Sequence, residues 1–253
     1  MRKSGMSKAA KKAGRVAAEG LLVIKKNAET GQLVITEINA ETDFVTKDDS
    51  FKDFCEQVAD CILANQPVDI DSLMGCNIGE QTVEETRQQL VAKIGENTSV
   101  RRFSLLDSAT GILGSYLHGI RIGVIVELEG GDDGLAKDIA MHIAASNPTC
   151  IAEEDVPEDI LAKEKEILGA QAEESGKPPE IIEKMIGGRI NKFLKEITLL
   201  GQPFVKDPDQ TVAKLLESGG ATVKSFIRYE VGEGIEKRND NFAEEVMAQA
   251  KGE

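Results

Sequence analysis

A hairpin signature that occurs twice constrains this chain more than any other feature. Gly20 to Ile24 and Leu33 to Asn39 are rich in β-branched and aliphatic residues and flank the turn-forming cluster Asn27-Ala28-Glu29-Thr30-Gly31. That is the pattern of two antiparallel strands joined by a tight connection. Gly114 to His118 and Arg121 to Leu128 repeat it, with Ile122, Val124, Val126 and Leu128 putting one apolar face on a core. A helical run follows each hairpin. Phe51, Phe54, Cys55, Val58 and Ile62 recur at helical spacing with Ser50 as N-cap, and Leu135, Ile139 and Ile143 do so after Gly130-Gly131-Asp132-Asp133-Gly134. Each half closes on a further strand, Val100 to Leu106 and then Val223 to Val231. The reading is α+β, with two related subdomains, each a small antiparallel sheet with helices on one side.

In the first half, Pro67 to Gly79 reads as loop, and Thr82-x-x-Glu85 forms a capping box opening a helix that runs to Ile94 and stops at Gly95. The second half carries an insertion. Pro157 to Ser175 is a charged helix with Ile160, Leu161, Ile167 and Leu168 at heptad spacing, broken by Gly176-Lys177-Pro178-Pro179. Ile182, Met185, Ile186, Phe193 and Ile197 mark its return, giving an antiparallel helical hairpin of coiled-coil type that projects from the body. Gly187-Gly188 weakens the return arm by about 1 kcal/mol per glycine unless a close helix contact uses the pair. Asn241-x-x-Glu244 opens a short C-terminal helix. The expected division is a basic arm over 1–18, an N-terminal core subdomain over 19–110, a C-terminal core subdomain over 111–238 with the hairpin inserted at about 152–197, and a C-terminal helix module over 239–253.

At 253 residues, 41% hydrophobic and 29% charged, the chain has the material for a sizeable core. Its net charge of -14 argues against a general nucleic-acid or anionic-membrane surface. The sign is uneven, because residues 1–18 hold Arg2, Lys3, Lys8, Lys11, Lys12 and Arg15 and no acid. Such an arm can be read as a transit peptide or an RNA-binding tail, but it has only Ser4 and Ser7 as hydroxyls and no aromatic to stack on a base, and its Ala/Lys content suits a solvated helix. No apolar run approaches the length of a membrane span, so the expected location is cytoplasmic. Cys55, Cys61, Cys76 and Cys150 form no CxxC or zinc pattern and read as packed thiols, with neither disulfide nor metal expected.

The search for catalytic motifs is mostly negative. There is no phosphate-cradling glycine loop, nucleophile elbow or HExxH, and the histidines are His118 and His142. His142 falls on an apolar helix and reads as a structural histidine; His118 ends a strand where a turn would expose it, with no recognisable nucleophile nearby in sequence. Thr42-Asp43-Phe44-Val45 is unlike an ordinary connection. It joins a strand to a helix with an aromatic ring beside a carboxylate, in a chain of 8 Phe, 2 Tyr and no Trp. Phe44 is either a hydrophobic staple folding onto Phe51 or Phe54, or an exposed wedge that enters a partner.

Six segments, taken together, carry a family resemblance. They are Thr42-Asp43-Phe44-Val45, Lys93-Ile94-Gly95-Glu96-Asn97 before Arg101-Arg102, Gly114-Ser115-Tyr116 with His118-Gly119, Met141-His142-Ile143-Ala144-Ala145, Gly201-Gln202-Pro203-Phe204-Val205, and Val231-Gly232-Glu233-Gly234-Ile235-Glu236. In this order they resemble bacterial elongation factor Ts over the whole chain. The family's N-terminal ubiquitin-associated-like module is expected to be lacking, with Arg2-Lys3-Ser4-Gly5 matching the segment that leaves it. Thr46 stands where the family commonly has a small alanine. The resemblance implies guanine-nucleotide exchange on the GTPase elongation factor Tu, in a 1:1 or 2:2 complex, with no covalent chemistry, no cofactor, no membrane and no direct nucleic-acid contact. It implies that Phe44, flanked by Thr42, Asp43 and Val45, enters beside the GTPase's magnesium site. Further, it places His118 and the Ile94-Gly95 turn near the phosphate-binding loop, and Val205 and Lys206 against another domain. At Lys206 the family often has an apolar residue. The competing readings are an RNA-binding accessory protein acting through the basic arm and an enzyme using His118.

Overall fold

The computed structural model describes residues 10–173 and 178–236. The chain divides into two compact units: Met1–Lys25, Val34–Leu105 and Tyr229–Glu253 form one, and Lys26–Leu33 with Leu106–Arg228 the other. The helix expected from Asn241 lies outside the described residues, as does the start of the basic arm.

The sheet of the first unit is built from β1 (Glu19–Lys26), β2 (Leu33–Ala40) and β5 (Thr98–Leu106), in the order β1-β2-β5. Its central strand β2 is buried along its whole length. Val34, Ile38 and Ala40 pack with Phe51, Phe54, Val58 and Ile62 of α1 (Asp49–Asn65), with Leu73 of α2 (Ile70–Gly75), and with Val83 and Leu90 of α3 (Val83–Ile94). Asp48, not Ser50, caps α1. Asp48 is still extended (φ -70, ψ 128) and its carboxylate accepts the N–H groups of Ser50 and Phe51, whereas Ser50 already lies inside the helix. The stretch expected as loop from Pro67 to Gly79 contains α2 and strand β3 (Asn77–Ile78), which pairs with β4 (Gln81–Thr82). A reciprocal cap between Asp69 and Ser72 and the full burial of Leu73 stabilise this short helix. The Thr82–Glu85 capping box opens α3 as expected, and Gly95 ends it at φ +88.

The second unit repeats the strand order. In its sheet β7 (Ile122–Gly130) lies between β6 (Ile112–His118) and β10 (Ala221–Glu230), and β6 pairs antiparallel to β7 with Tyr116 opposite Val124. In both sheets the second hairpin strand is central and the late strand lies beside it, so the repeat is one of topology. Helix α4 (Asp133–Ser146), capped by Asp132, buries Ala136, Ile139, Ala140 and Ile143 against Val124, Val126 and Leu128. The approach is close at one point: a Cβ on Gly114 would lie 2.6 Å from the carbonyl carbon of Ala136. Only glycine lets the helix rest there, which accounts for Gly114 in the Gly-Ser-Tyr segment.

The insertion consists of α5 (Glu158–Glu173) and α6 (Pro179–Ile197), and Arg189 donates to the Gln171 side chain between them. Leu168 and Ile190 are buried, while Ile167 and Ile181 are exposed. A methyl at Gly187 or Gly188 would meet nothing within 4 Å, so no close helix contact uses them. Beyond the insertion, β8 (Pro203–Phe204), β9 (Asp207–Thr211) and α7 (Val212–Ser218) complete the second core through Phe204, Val212 and Leu216. Among the described residues no helix is long and apolar enough to cross a membrane, and the cysteines are free.

Candidate functional site

The Thr42–Val45 segment leads into a 3-10 turn, Asp43–Lys47, between β2 and α1. Val45 is turned inward and only 5% exposed, packed with the first core. Its side chain therefore anchors the turn, and a partner would meet the residues on either side of it. Phe51 and Phe54 are themselves buried among core side chains, and Phe44 is 73% exposed, so the staple reading is wrong and the ring points outward. Lys47 Nζ lies 5.6 Å from the ring centroid, a weak attraction of about 0.5–1 kcal/mol at an exposed site. Asp43 is exposed beside it, and its backbone carbonyl accepts the Thr46 hydroxyl at 2.7 Å.

A carboxylate that sequence reasoning did not nominate joins this turn to the other site segment of the same unit. Glu96 accepts the Thr42 N–H at 3.0 Å and the Thr42 hydroxyl at 2.9 Å, and so brings Thr42 to the Ile94-Gly95 turn. Ile94 is half-buried against the first core, and Gly95 presents its carbonyl to the Lys12 ammonium. Glu96 lay within a segment already singled out, but nothing local marked it as the tie.

The remaining candidates lie in the second unit on two hairpin tips. His118 ends β6 before Gly119 (φ +60); it is exposed, and its Nδ1 is 3.2 Å from the Tyr116 hydroxyl. Val205 and Lys206 are the two tip residues between the paired Phe204 and Asp207. Val205 is 44% exposed, and Lys206 Nζ meets Asp138 Oδ1 at 2.6 Å. Behind this tip, His142 is fully buried. Its Nδ1 accepts the Val205 N–H at 3.2 Å, which leaves the proton on Nε2 to be donated to Gln202 Oε1 at 2.9 Å. Burial holds the His142 pKa below its ordinary 6.5 despite the Gln202 bond. The histidine is structural, as its helical setting suggested, and it shapes the tip that carries Val205.

Arg101-Arg102 and Gly232, from the second and the last of the six segments, also serve the interior. Arg101 and Arg102 place guanidinium nitrogens 3.0 and 2.6 Å from the buried carboxylate of Glu37, and Gly232 donates its N–H to the same group at 2.8 Å. A Cβ on Gly232, at φ +76, would lie 2.2 Å from the Ala18 carbonyl oxygen. Among the described residues no group of three or more His, Cys, Asp or Glu could hold a metal ion.

The family model described as Elongation factor TS matches residues 41–233. The elongation factor Ts of Thioalkalivibrio sulfidiphilus is 61% identical over 253 residues, covering 100% of this chain and 86% of that protein. Those of Alkalilimnicola ehrlichii and Methylococcus capsulatus are 56% and 57% identical over 252 residues, covering 100% and 99% of this chain and 86% of each relative. The fold, the ordered segments and these relatives make the chain a translation elongation factor. It belongs to the elongation factor Ts family.

Proposed function

We propose that this protein binds elongation factor Tu carrying GDP and promotes release of the nucleotide, performing no bond-making chemistry itself. The observation that carries the reading is Phe44, an exposed aromatic ring on a turn fixed from below by Val45 and from the side by Glu96. An exchange factor must bind the nucleotide-free GTPase better than the GDP-bound form, and by linkage GDP weakens the factor's own binding equally. Lowering GDP affinity ten-thousandfold takes about 5.5 kcal/mol of differential binding. Full burial of one Phe side chain contributes roughly 1.5–3 kcal/mol, so the ring alone falls short. The remainder is assigned to Asp43, which contacts the elements displaced by Phe44 beside the magnesium site, and to His118 with the Ile94-Gly95 turn near the phosphate-binding loop. Thr42 and Val45 hold the wedge in place, while Val205 and Lys206 dock another domain of the GTPase.

The test is affinity for elongation factor Tu with and without GDP, by titration calorimetry. Binding to the nucleotide-free GTPase should be tighter by a factor approaching 10⁴. Equal affinities for the two forms would exclude exchange by this route. RNA binding through the basic arm, the second reading, would instead fall steeply with salt and vanish on removal of residues 1–18.

A further inference from the structure

Two carboxylates exchange hydrogen bonds between the wedge segment and the Gly95 turn. Glu41 Oε1 accepts the backbone N–H of Asn97 at 2.6 Å, while Glu96, next to Asn97, accepts both the N–H and the hydroxyl of Thr42, next to Glu41. The pattern is reciprocal: each segment supplies one carboxylate and receives the other across more than fifty positions of sequence. A third stretch is tied to the same knot. The Asn97 amide donates to the Arg15 carbonyl at 2.8 Å and the Ala13 carbonyl at 3.5 Å, Arg15 Nη1 lies 3.5 Å from Glu41 Oε2, and Lys12 donates to the Gly95 carbonyl.

On its C-terminal side the wedge is already held, by Val45 in the core and by Asp48 at the start of α1. On its N-terminal side Thr42 is only half-buried, and the Glu96 carboxylate takes both its backbone and its side-chain donor. Hydrogen bonds to an ionised carboxylate are shorter and stronger than neutral ones, and two from one residue fix orientation as well as distance. Resting on the exchange reading above, we propose that Glu41 and Glu96 are positioning residues for nucleotide release, holding the Asp43-Phe44 turn and the Ile94-Gly95 turn as one rigid element. A wedge ordered in advance presents its ring without the loss of loop freedom that binding would otherwise cost. Loosening the clasp therefore lowers the rate of release from the bound complex more than it weakens docking, which the other contacts supply.

The experiment is release of a fluorescent GDP analogue from elongation factor Tu, followed by stopped flow, with the full chain and its variants titrated to saturation. Glu96→Ala should lower the maximal release rate about tenfold while moving the half-saturating concentration by less than about threefold. Glu96→Gln should stay within about threefold of the parent, because its amide oxygen accepts the Thr42 N–H while its amide N–H donates to the hydroxyl. Thr42→Val, which keeps the backbone bond and the fold, should fall between the two. In a Phe44→Ala background, Glu96→Ala should cost clearly less than it does in the parent, since the ring is gone and only Asp43 and the Ile94-Gly95 turn remain to be positioned. The proposal is overturned if folded Glu96→Ala releases GDP at the parent maximal rate, or if its effect multiplies with that of Phe44→Ala. A Phe44→Ala single variant at the parent rate would instead overturn the exchange reading itself, so the two failures are told apart.

Discussion

Glu37 and Gly232 are joined by a hydrogen bond of 2.8 Å across 195 positions of sequence, from the backbone N–H of the glycine to the buried carboxylate. The Asn39 amide and the guanidiniums of Arg101 and Arg102 complete the site, so a charge in the middle of a buried strand is fully satisfied. Removing it takes this acceptor from two half-buried guanidiniums, which keep contacts to Glu230 and Glu233, and from the Gly232 N–H. Glu37→Ala is expected to destabilise the protein by about 1–3 kcal/mol, measured by urea unfolding, and Glu37→Gln by less. A Glu37→Ala variant as stable as the parent would show that the network contributes nothing net.

Glu37 and His142 both contribute to the acid side of the stability profile. Burial opposes ionisation of Glu37, but the Gly232 N–H, the Asn39 amide and the two guanidiniums outweigh it and hold its pKa below the ordinary 4.5. That contribution is present above pH 4.5 and lost as pH falls through the lowered value. His142 acts earlier. Its folded pKa lies below 6.5, so the unfolded chain takes up the proton first, and stability declines as pH falls from 6.5 toward the folded value. Unfolding free energies at about pH 7.5 and about pH 5.5 should therefore differ more in the parent than in His142→Gln. Equal differences would exclude His142 as the titrating group.

Gly114 is a packing requirement. Alanine there would drive a methyl to 2.6 Å from the α4 backbone at Ala136, where no flexible side chain can yield. Gly114→Ala should cost about 1–3 kcal/mol in urea unfolding. An unchanged midpoint would mean that the helix can lift from β6 freely.

The Val205–Lys206 tip is expected to act on docking rather than release. The Lys206–Asp138 pair is solvent-exposed, and such pairs contribute about 0–1 kcal/mol. Lys206→Ala should therefore leave thermal stability nearly unchanged. Val205→Ser should raise the half-saturating concentration for exchange about threefold without lowering the maximal rate. A lowered maximal rate would instead place the tip among the groups that act on the bound nucleotide.

Local chemistry was legible in the sequence where donor and acceptor are near neighbours. The Thr82–Glu85 box, the Gly95 stop and the two hairpins follow from spacings of a few residues. The start of α1 was misplaced because Asp48 and Ser50 are both competent caps, and only the backbone angles decide between them. Helix α2 escaped notice because it is a single short stretch with one buried side chain, Leu73, and the pairs β3–β4 and β8–β9 are too short to show alternation. At the wedge, both orientations of Phe44 satisfied the local pattern; the core was closed by Val45, Phe51 and Phe54, and the ring was left outside. Glu37 and Glu96 could not be assigned from spacing, because, Asn39 aside, their partners lie 54 to 195 positions away.

The most direct measurement is release of a fluorescent GDP analogue from elongation factor Tu by the parent chain and by an Asp43→Ala, Phe44→Ala variant, both titrated to saturation. The parent should accelerate release to a plateau, and the variant should lose about a hundredfold or more of the maximal rate, equivalent to about 2.7 kcal/mol, while unfolding at nearly the same temperature. A variant that releases GDP at the parent rate would contradict the wedge and require that exchange be driven from elsewhere on the molecule.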